Sequence, residues 1–518
     1  MADKIQAYKV SCLGGLDTNK DMLAQGEVYP GSGLQLINYE PSITGGYRRI
    51  SGYANSYGTV PGEGSVLGVN ISENINNGIF ACRKPISPAT AYFYRWNIST
   101  SAWVAITTPV DVTMVGVKKV RFENLSWGVD KMAMADGINR AAIYDGTTYT
   151  QLASPAPAAP KFVTHFANHL FLAGDPSEPY NLYFSAPLAE TDFTPANGAG
   201  VINVGFPIVQ IKSFRESLYI FGKNNINRLS GSSIADFRIE EVTSNLGCVA
   251  SDSVVEIAGN LIFLSNDGFR PISGTARIGD VELETVSKQI QSTVASIVDE
   301  LVQGDIDTET VSMIVYNKKS QFRFMLPTEG LFGFLGGIRK TDRGSGFEYS
   351  LLFDVVASCA TSGYIGFEEI ILHGASNGKV YKQETGSSFD GRDILSIYQT
   401  PYYYMEDPTI RKNFYNITTF LRSEGTTNIV FSVSYDFEDS VGVFNPSNYA
   451  ITTVGAAAYY NTAVYDSGVT YDGNPSPVVK TNISGSGFSV SFKYVTNDTN
   501  ASHNIQGMVL NFSFNDRR

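Results

Sequence analysis

Between residues 160 and 275 the chain repeats one hydrophobic pattern three times. FANHLFLAGDPSEPYNLYFS (166–185), FRESLYIFGKNNINRLSG (214–231) and IAGNLIFLSNDGFRPISG (257–274) each set an aromatic residue or Ile four positions before a Leu: Phe166/Leu170, Phe214/Leu218 and Ile257/Leu261. The Leu opens a run that is apolar on both faces (LFLAG, LYIFG, LIFLS). A Gly/Asn/Asp turn follows, then a second strand (YNLYFS, INRLSG, FRPISG). Short apolar runs bounded by turn residues read as buried strands, so each unit predicts a β-hairpin.

Looser copies flank these three: GIFACR (78–83) with TAYFYRWN (90–97), KMAMADGINRAAIYDG (131–146), SMIVYNKKSQFRFMLP (312–327) and EIILHGASNGKVYKQETG (369–386). Their spacing overlaps the ~40–50 residues of a four-stranded propeller blade. We therefore expect an all-β chain in which residues 61–395 form a β-propeller of six blades, or seven, each hairpin being the inner half of a blade. ELETVSKQIQSTVASIVDEL (282–301) instead places Val286, Ile290, Val294, Ile297, Val298 and Leu301 at helical spacing, which predicts one substantial helix. PAPAAP (155–160) is a stiff connection inside the propeller region.

Beyond residue 395 the pattern changes to period two. TNIVFSVSYDF, GFSVSFKYV and QGMVLNFSF alternate polar and apolar positions between turn residues. Residues 396–518 are expected to form a β-sandwich-like platform, and the short strands of residues 1–60, such as LQLINYE, to pack on it.

Composition agrees. The 518 residues include 29 Tyr, 31 Phe and 49 Gly, which suit pleated sheets and tight turns. The formal net charge is −12, and no Lys/Arg run exceeds two residues, so tight binding to nucleic-acid phosphates is not expected. The four cysteines are widely spaced without a CxxC pair and are read as buried free thiols. The opening MADKIQAYKVSCLGG lacks a signal-peptide core, and no run is long and apolar enough for a transmembrane helix.

Candidate chemistry is thin. His165 and His169 would share one face of a helix and could hold zinc there. If 164–172 is one strand, they lie roughly 13 Å apart at ~3.3 Å per residue, too far for one ion. GASNGK (374–379) is one residue short of a phosphate loop, with Val380 where Ser or Thr should bind magnesium. SNDGF (265–269), with Asp267, resembles a sialidase turn only loosely, and the Asp436, Glu438 and Asp439 of YDFEDS read as solvated charges rather than a calcium site. No catalytic residues, cofactor or metal are assigned. Function is expected to lie in surfaces.

Several segments in order resemble the tail nozzle proteins of short-tailed bacteriophages, also called tail tubular protein B or tail stabilisation proteins. These are GGLDTNKDML (14–23), TGGYRRISGY (44–53), NLGCVASDSVVEIAGNLIFLSNDGFRPIS (245–273), MEDPTIRKNFYNITTFLRSEG (405–425) and IQGMVLNFSFNDRR (505–518). The resemblance implies a six-bladed propeller on a platform built from both chain ends. It further implies a non-enzymatic structural protein of the virion, six copies forming a ring below the tail adaptor protein and, through it, the portal. Fibres or a needle attach outside, and viral DNA passes transiently through the channel without tight binding. The paired basics Arg48, Arg49, Arg411, Lys412, Arg517 and Arg518 are the candidates for subunit or adaptor contacts. The alternatives are a propeller glycosidase or depolymerase acting on host glycans, with converging carboxylates in the central pocket, and a lectin-like binding module.

Overall fold

The computed structural model describes residues 5–515 except 22, 76, 87–90, 110, 276–284, 342–343, 439–445 and 454–477. The chain divides into two compact units. One comprises Asn55–Leu331 and Val355–Gln383, the other Met1–Ala54, Phe332–Asp354 and Glu384–Arg518. The boundaries thus fall near residues 54 and 383 rather than 60 and 395. The strands of 332–354, which sequence alone placed in the propeller region, belong to the second unit.

The first unit is a β-propeller. Its innermost strands are β1 (Glu63–Ser72), β2 (Arg121–Trp127), β3 (Phe162–Phe166), β4 (Gln210–Phe214), β5 (Val254–Ile257), β6 (Ser312–Tyr316) and β7 (Cys359–Ile365), all lining one central cavity. Six of them each begin a small antiparallel sheet, and these six sheets are the blades. The hairpin of β6 with Gln321–Met325 stands between the sheets of β5 and β7. Each inner strand neighbours the next and β7 returns to β1, so the ring closes.

The threefold repeat falls on the sheets of β3, β4 and β5, and its four-residue spacing has a simple cause. Phe166 pairs with His169 across a two-residue turn, Phe214 with Ser217, and Ile257 with Asn260. The turn residues Ala167 and Asn168 both have positive φ (47° and 63°), as do Ala258 and Gly259 (52° and 71°). Such turns match the right-handed twist of the strands they join. The aromatic or Ile therefore ends the inner strand and the Leu lies on the second. Residues 164–172 are thus two strands rather than one, and the recognised hairpins are the second and third strands of these blades, not the inner half.

Blade cores lie between successive sheets. Phe162, Phe171 and Phe184 of the third sheet interdigitate with Ile211, Leu218 and Leu229 of the fourth. Leu170 and Leu172 face the second sheet with Ala133 and Ile143. Full burial of each such side chain contributes about 1.5–3 kcal/mol.

The helix is shorter than its periodicity suggested. A 3-10 turn at Lys288–Ile290 leads into α1 (Gln291–Gln303), which buries Val294, Ile297, Val298 and Leu301, with Ile290 buried just before it. Val286 is outside the helix because its N–H donates to the Phe269 carbonyl, while the Ser287 hydroxyl accepts from the Phe269 N–H. Residues 282–284 lie outside the described residues.

The second unit is a platform of two sheets. One runs through Tyr39–Pro41, Tyr47–Arg49, His503–Phe514, Lys412–Ser423 and Val478–Asn482, with Gln6–Ser11 also pairing on His503–Phe514. In the other, Gly333–Thr341, Gly344–Leu352, Gln35–Ile37, Ile394–Gln399, Val490–Asp498, Thr427–Tyr435 and Tyr449–Thr453 follow one another. The sheets face each other through tyrosines, as in the 3.0 Å hydrogen bond between the Tyr494 and Thr419 hydroxyls and the Tyr47–Tyr398 edge contact.

Candidate functional site at the propeller axis

The inner strands enclose a cavity of about 580 Å³. Side chains two residues apart on a strand share a face, so Lys119 and Arg121, at the start of β2, both reach the axis. They meet Asp252, which lies just before β5 with φ of 58°. Arg121 Nε donates to Asp252 Oδ1 and Oδ2 at 3.1 and 3.0 Å, and Lys119 Nζ lies 3.1 Å from Oδ2.

Other blades add to this hub. Gln210 Nε2, at the start of β4, donates to Asp252 Oδ1 at 3.2 Å. Lys119 Nζ donates to the Val311 carbonyl at 2.6 Å and Ser312 Oγ at 2.8 Å, at the start of β6. The Arg121 guanidinium lies 4.9 Å above the Phe162 ring of β3 and donates to Ser251 Oγ at 3.1 Å. Lys119 and Arg121 are 5% and 9% exposed. Burial alone would raise the Asp252 carboxyl, but Arg121 and Lys119 outweigh it and hold it at about 2.

Glu123, one turn of the pleat further along β2, accepts from His165 of β3, whose Nδ1 is 2.5 Å from Glu123 Oε1. That bond raises the His165 pKa above its usual value. His169, across the turn, is buried and bonds the Ser185 carbonyl through Nδ1. Thus the two histidines serve different neighbours on different strands.

Three carboxylates line the cavity: Glu123, Asp252 and Glu256. A propeller glycosidase needs one carboxyl held protonated near neutral pH. Asp252 is displaced the opposite way by its two cations, and Glu123 is engaged by His165.

The structure redistributes the paired basics chosen from sequence. Arg49 is 1% exposed and donates to Asp498 Oδ1 (2.7 Å) and the carbonyls of Ile394 (2.7 Å) and Asn500 (3.1 Å), so it ties the platform internally instead of meeting a partner. Lys412 is likewise buried, donating to the carbonyls of Asp407 and Phe488. In both cases a strand position facing the core took the charge inward. Arg48 is half-buried between Glu40 and Glu424. Arg411 is held at the surface by Ser486 and the Phe488 ring. Arg517 and Arg518 lie outside the described residues. Among the described residues only chain neighbours lie together, Arg48 with Arg49 and Arg411 with Lys412, the latter two both on Phe488.

The remaining candidates resolve locally. GASNGK is a turn in which Asn377 Oδ1 accepts the Lys379 N–H and Gly378 has φ of 79°. Asp267 binds Arg270 within its hairpin. Asp436 accepts the N–H groups of Phe488 and Ser489 at 2.8 Å, whereas Asp439 lies outside the described residues. All four cysteines are free and buried, and burial raises each thiol.

Sequence reading missed the hub. The available signal was Lys118-Lys119-Val120-Arg121, a basic pair and a third cation alternating with Val120 and Phe122 at the start of a strand. Its partner Asp252 gave none, because pairing across 131 residues leaves no local trace.

No protein-family model matches the chain, and no curated protein does. Among solved structures, the chain is similar to the extracellular domain of a protein described as a hybrid two-component system from B. thetaiotaomicron, at 12% identity and a TM-score of 0.40. The match covers 73% of this chain and 44% of that one, so the chain spans less than half the length of the solved domain.

Proposed function

We propose that this protein is a structural component of a short phage tail, the nozzle, which assembles as a homohexameric ring beneath the adaptor and gives the genome its exit channel. The ordered resemblance of five segments to nozzle proteins is the basis of the reading. The observation that carries it furthest is the platform: Gln6–Ser11 pairs residue by residue with Gly507–Phe512, so the two chain ends build one unit, as that family's architecture implies. A net charge of −12 suits a conduit, because every phosphate held would slow ejection. The engaged state of Asp252 and Glu123 weighs against the glycosidase alternative.

The test is co-assembly. Purified protein mixed with the adaptor and portal of its particle should form six-fold rings visible by negative-stain imaging. A species that stays monomeric with both partners present would overturn the reading, as would release of reducing sugar from host polysaccharide by the protein alone.

A further inference from the structure

We propose that Lys119, Arg121 and Asp252 form a permanent seal across the propeller axis, so that the bore is a blind cup entered only from the opposite end, where the turns after β2 to β5 lie. Strands β2 and β5 are not neighbours: β3 and β4 stand between them on one side and β6, β7 and β1 on the other. Contacts of 2.9–3.1 Å between Arg121, Lys119 and Asp252 therefore run across the ring and not around it. With Gln210 and Ser312 joined to the same cluster and Phe162 beneath the guanidinium, groups from the starts of five inner strands meet at one level of the axis.

The cluster is saturated. An ammonium has three donors, and those of Lys119 go to Asp252, the Val311 carbonyl and Ser312. Arg121 spends its donors on Asp252, Ser251 and the carbonyls of Lys161 and Glu309. No donor of Lys119 is left for a ligand, which makes the cluster a closure and not a binding site. The outer part of the same cavity is lined by Glu123, Lys212 and Glu256. On the tail reading, which this last step alone assumes, the genome then passes between copies and not along this axis.

Cys359, at the start of β7 beside the hub, is 2% exposed, and its thiol packs between the last and first blade sheets, 3.4 Å from the Val66 carbonyl, so a reagent reaches it only when the ring opens locally at the level of the seal. Whole folded protein would be treated with a small methanethiosulfonate reagent and the labelled cysteines timed by peptide mass spectrometry. Asp252→Asn should raise the rate at Cys359 about tenfold or more through local opening, with Cys82 and Cys12 unchanged. Ser312→Ala, which removes one Lys119 contact, should give a smaller rise at Cys359 alone and serves if Asp252→Asn does not fold. Unchanged labelling at Cys359 in the folded variants would overturn the seal. So would an equal rise at all four cysteines, since the cluster would then only hold the fold together. Ring formation with adaptor and portal is scored separately, so the seal and the tail reading fail independently.

Discussion

The two units solve the burial of a large β surface in opposite ways. In five of the six propeller sheets the strands follow one another in sequence, and the space between sheets is filled by Phe, Leu and Ile. The platform joins strands hundreds of residues apart, such as Gln6–Ser11 with His503–Phe514, around tyrosines that are almost wholly buried. Their hydroxyls are satisfied inside: Tyr398 donates to the Gly31 carbonyl, Tyr435 to that of Ser484, and Tyr47 accepts the Gly15 N–H. Blade stacking is therefore a sum of nearest-neighbour interfaces, whereas the platform depends on polar matches between distant segments. Loss of one such match leaves a buried group unpaired.

Acid should affect both units most. His373 in the propeller and His503 in the platform are fully buried. Burial first, then the guanidinium of Arg323 or those of Arg49 and Arg48, brings each down to about 3 from the usual 6.5. Because the folded value lies below the unfolded one, the unfolded chain takes up the proton first. The stabilisation is complete above about pH 6.5 and is lost as pH falls toward 3, on the order of 4 kcal/mol for each residue. Urea midpoints measured against pH should fall across that window, and His373→Gln and His503→Gln should each flatten the profile. Hydrogen exchange at pH 4 should loosen both units. Loosening of one alone would mean that the buried histidines are not equivalent.

Next in size is Arg49→Met. It takes the buried guanidinium away from three carbonyls and leaves the Asp498 carboxylate with Asn500 alone, which costs about 3–5 kcal/mol. Exchange mass spectrometry should place the loss in platform strands, with blade protection kept. Leu218→Ala makes the reverse cut, a cavity between the third and fourth sheets costing about 3 kcal/mol. Its effect should decay blade by blade from that interface. A platform that loosens equally with Leu218→Ala would erase the distinction between the two units.

This contrast also explains what the sequence disclosed. The Phe166/Leu170 spacing was visible because the turn that generates it is local, and the same spacing recurs at Phe214 and Ile257. Its meaning was not visible: nothing in Ala167-Asn168 announces a turn as plainly as Asn-Gly would, so two strands read as one. Buried positions of α1 were legible from period alone, but its start was not, since Val286 is taken by a tertiary hydrogen bond to Phe269. Arg49 is misread for the same reason that Asp252 is overlooked. Whether a charge on a strand faces water or a distant partner depends on pairings of 131 to 449 residues' separation, which leave no periodic trace.

The smallest change tests the comparison most directly. Tyr494 is fully buried and its hydroxyl shares a 3.0 Å hydrogen bond with Thr419 of the facing sheet. Tyr494→Phe keeps the ring contacts with Tyr398 and Phe431 and removes that link together with the weaker 4.0 Å hydrogen bond that the hydroxyl donates to Met508 Sδ. The loss should be about 1 kcal/mol, because the Thr419 hydroxyl is left without this partner while packing is preserved. Thr419→Val in addition should then cost little more, since both polar ends are gone together. A double variant that loses the sum of two full single losses would mean that the hydroxyls act separately and that ring packing, as in the propeller, holds the platform sheets together. A non-additive pair, read from urea unfolding of the two single variants and the double, would establish that the tyrosine hydroxyls join them.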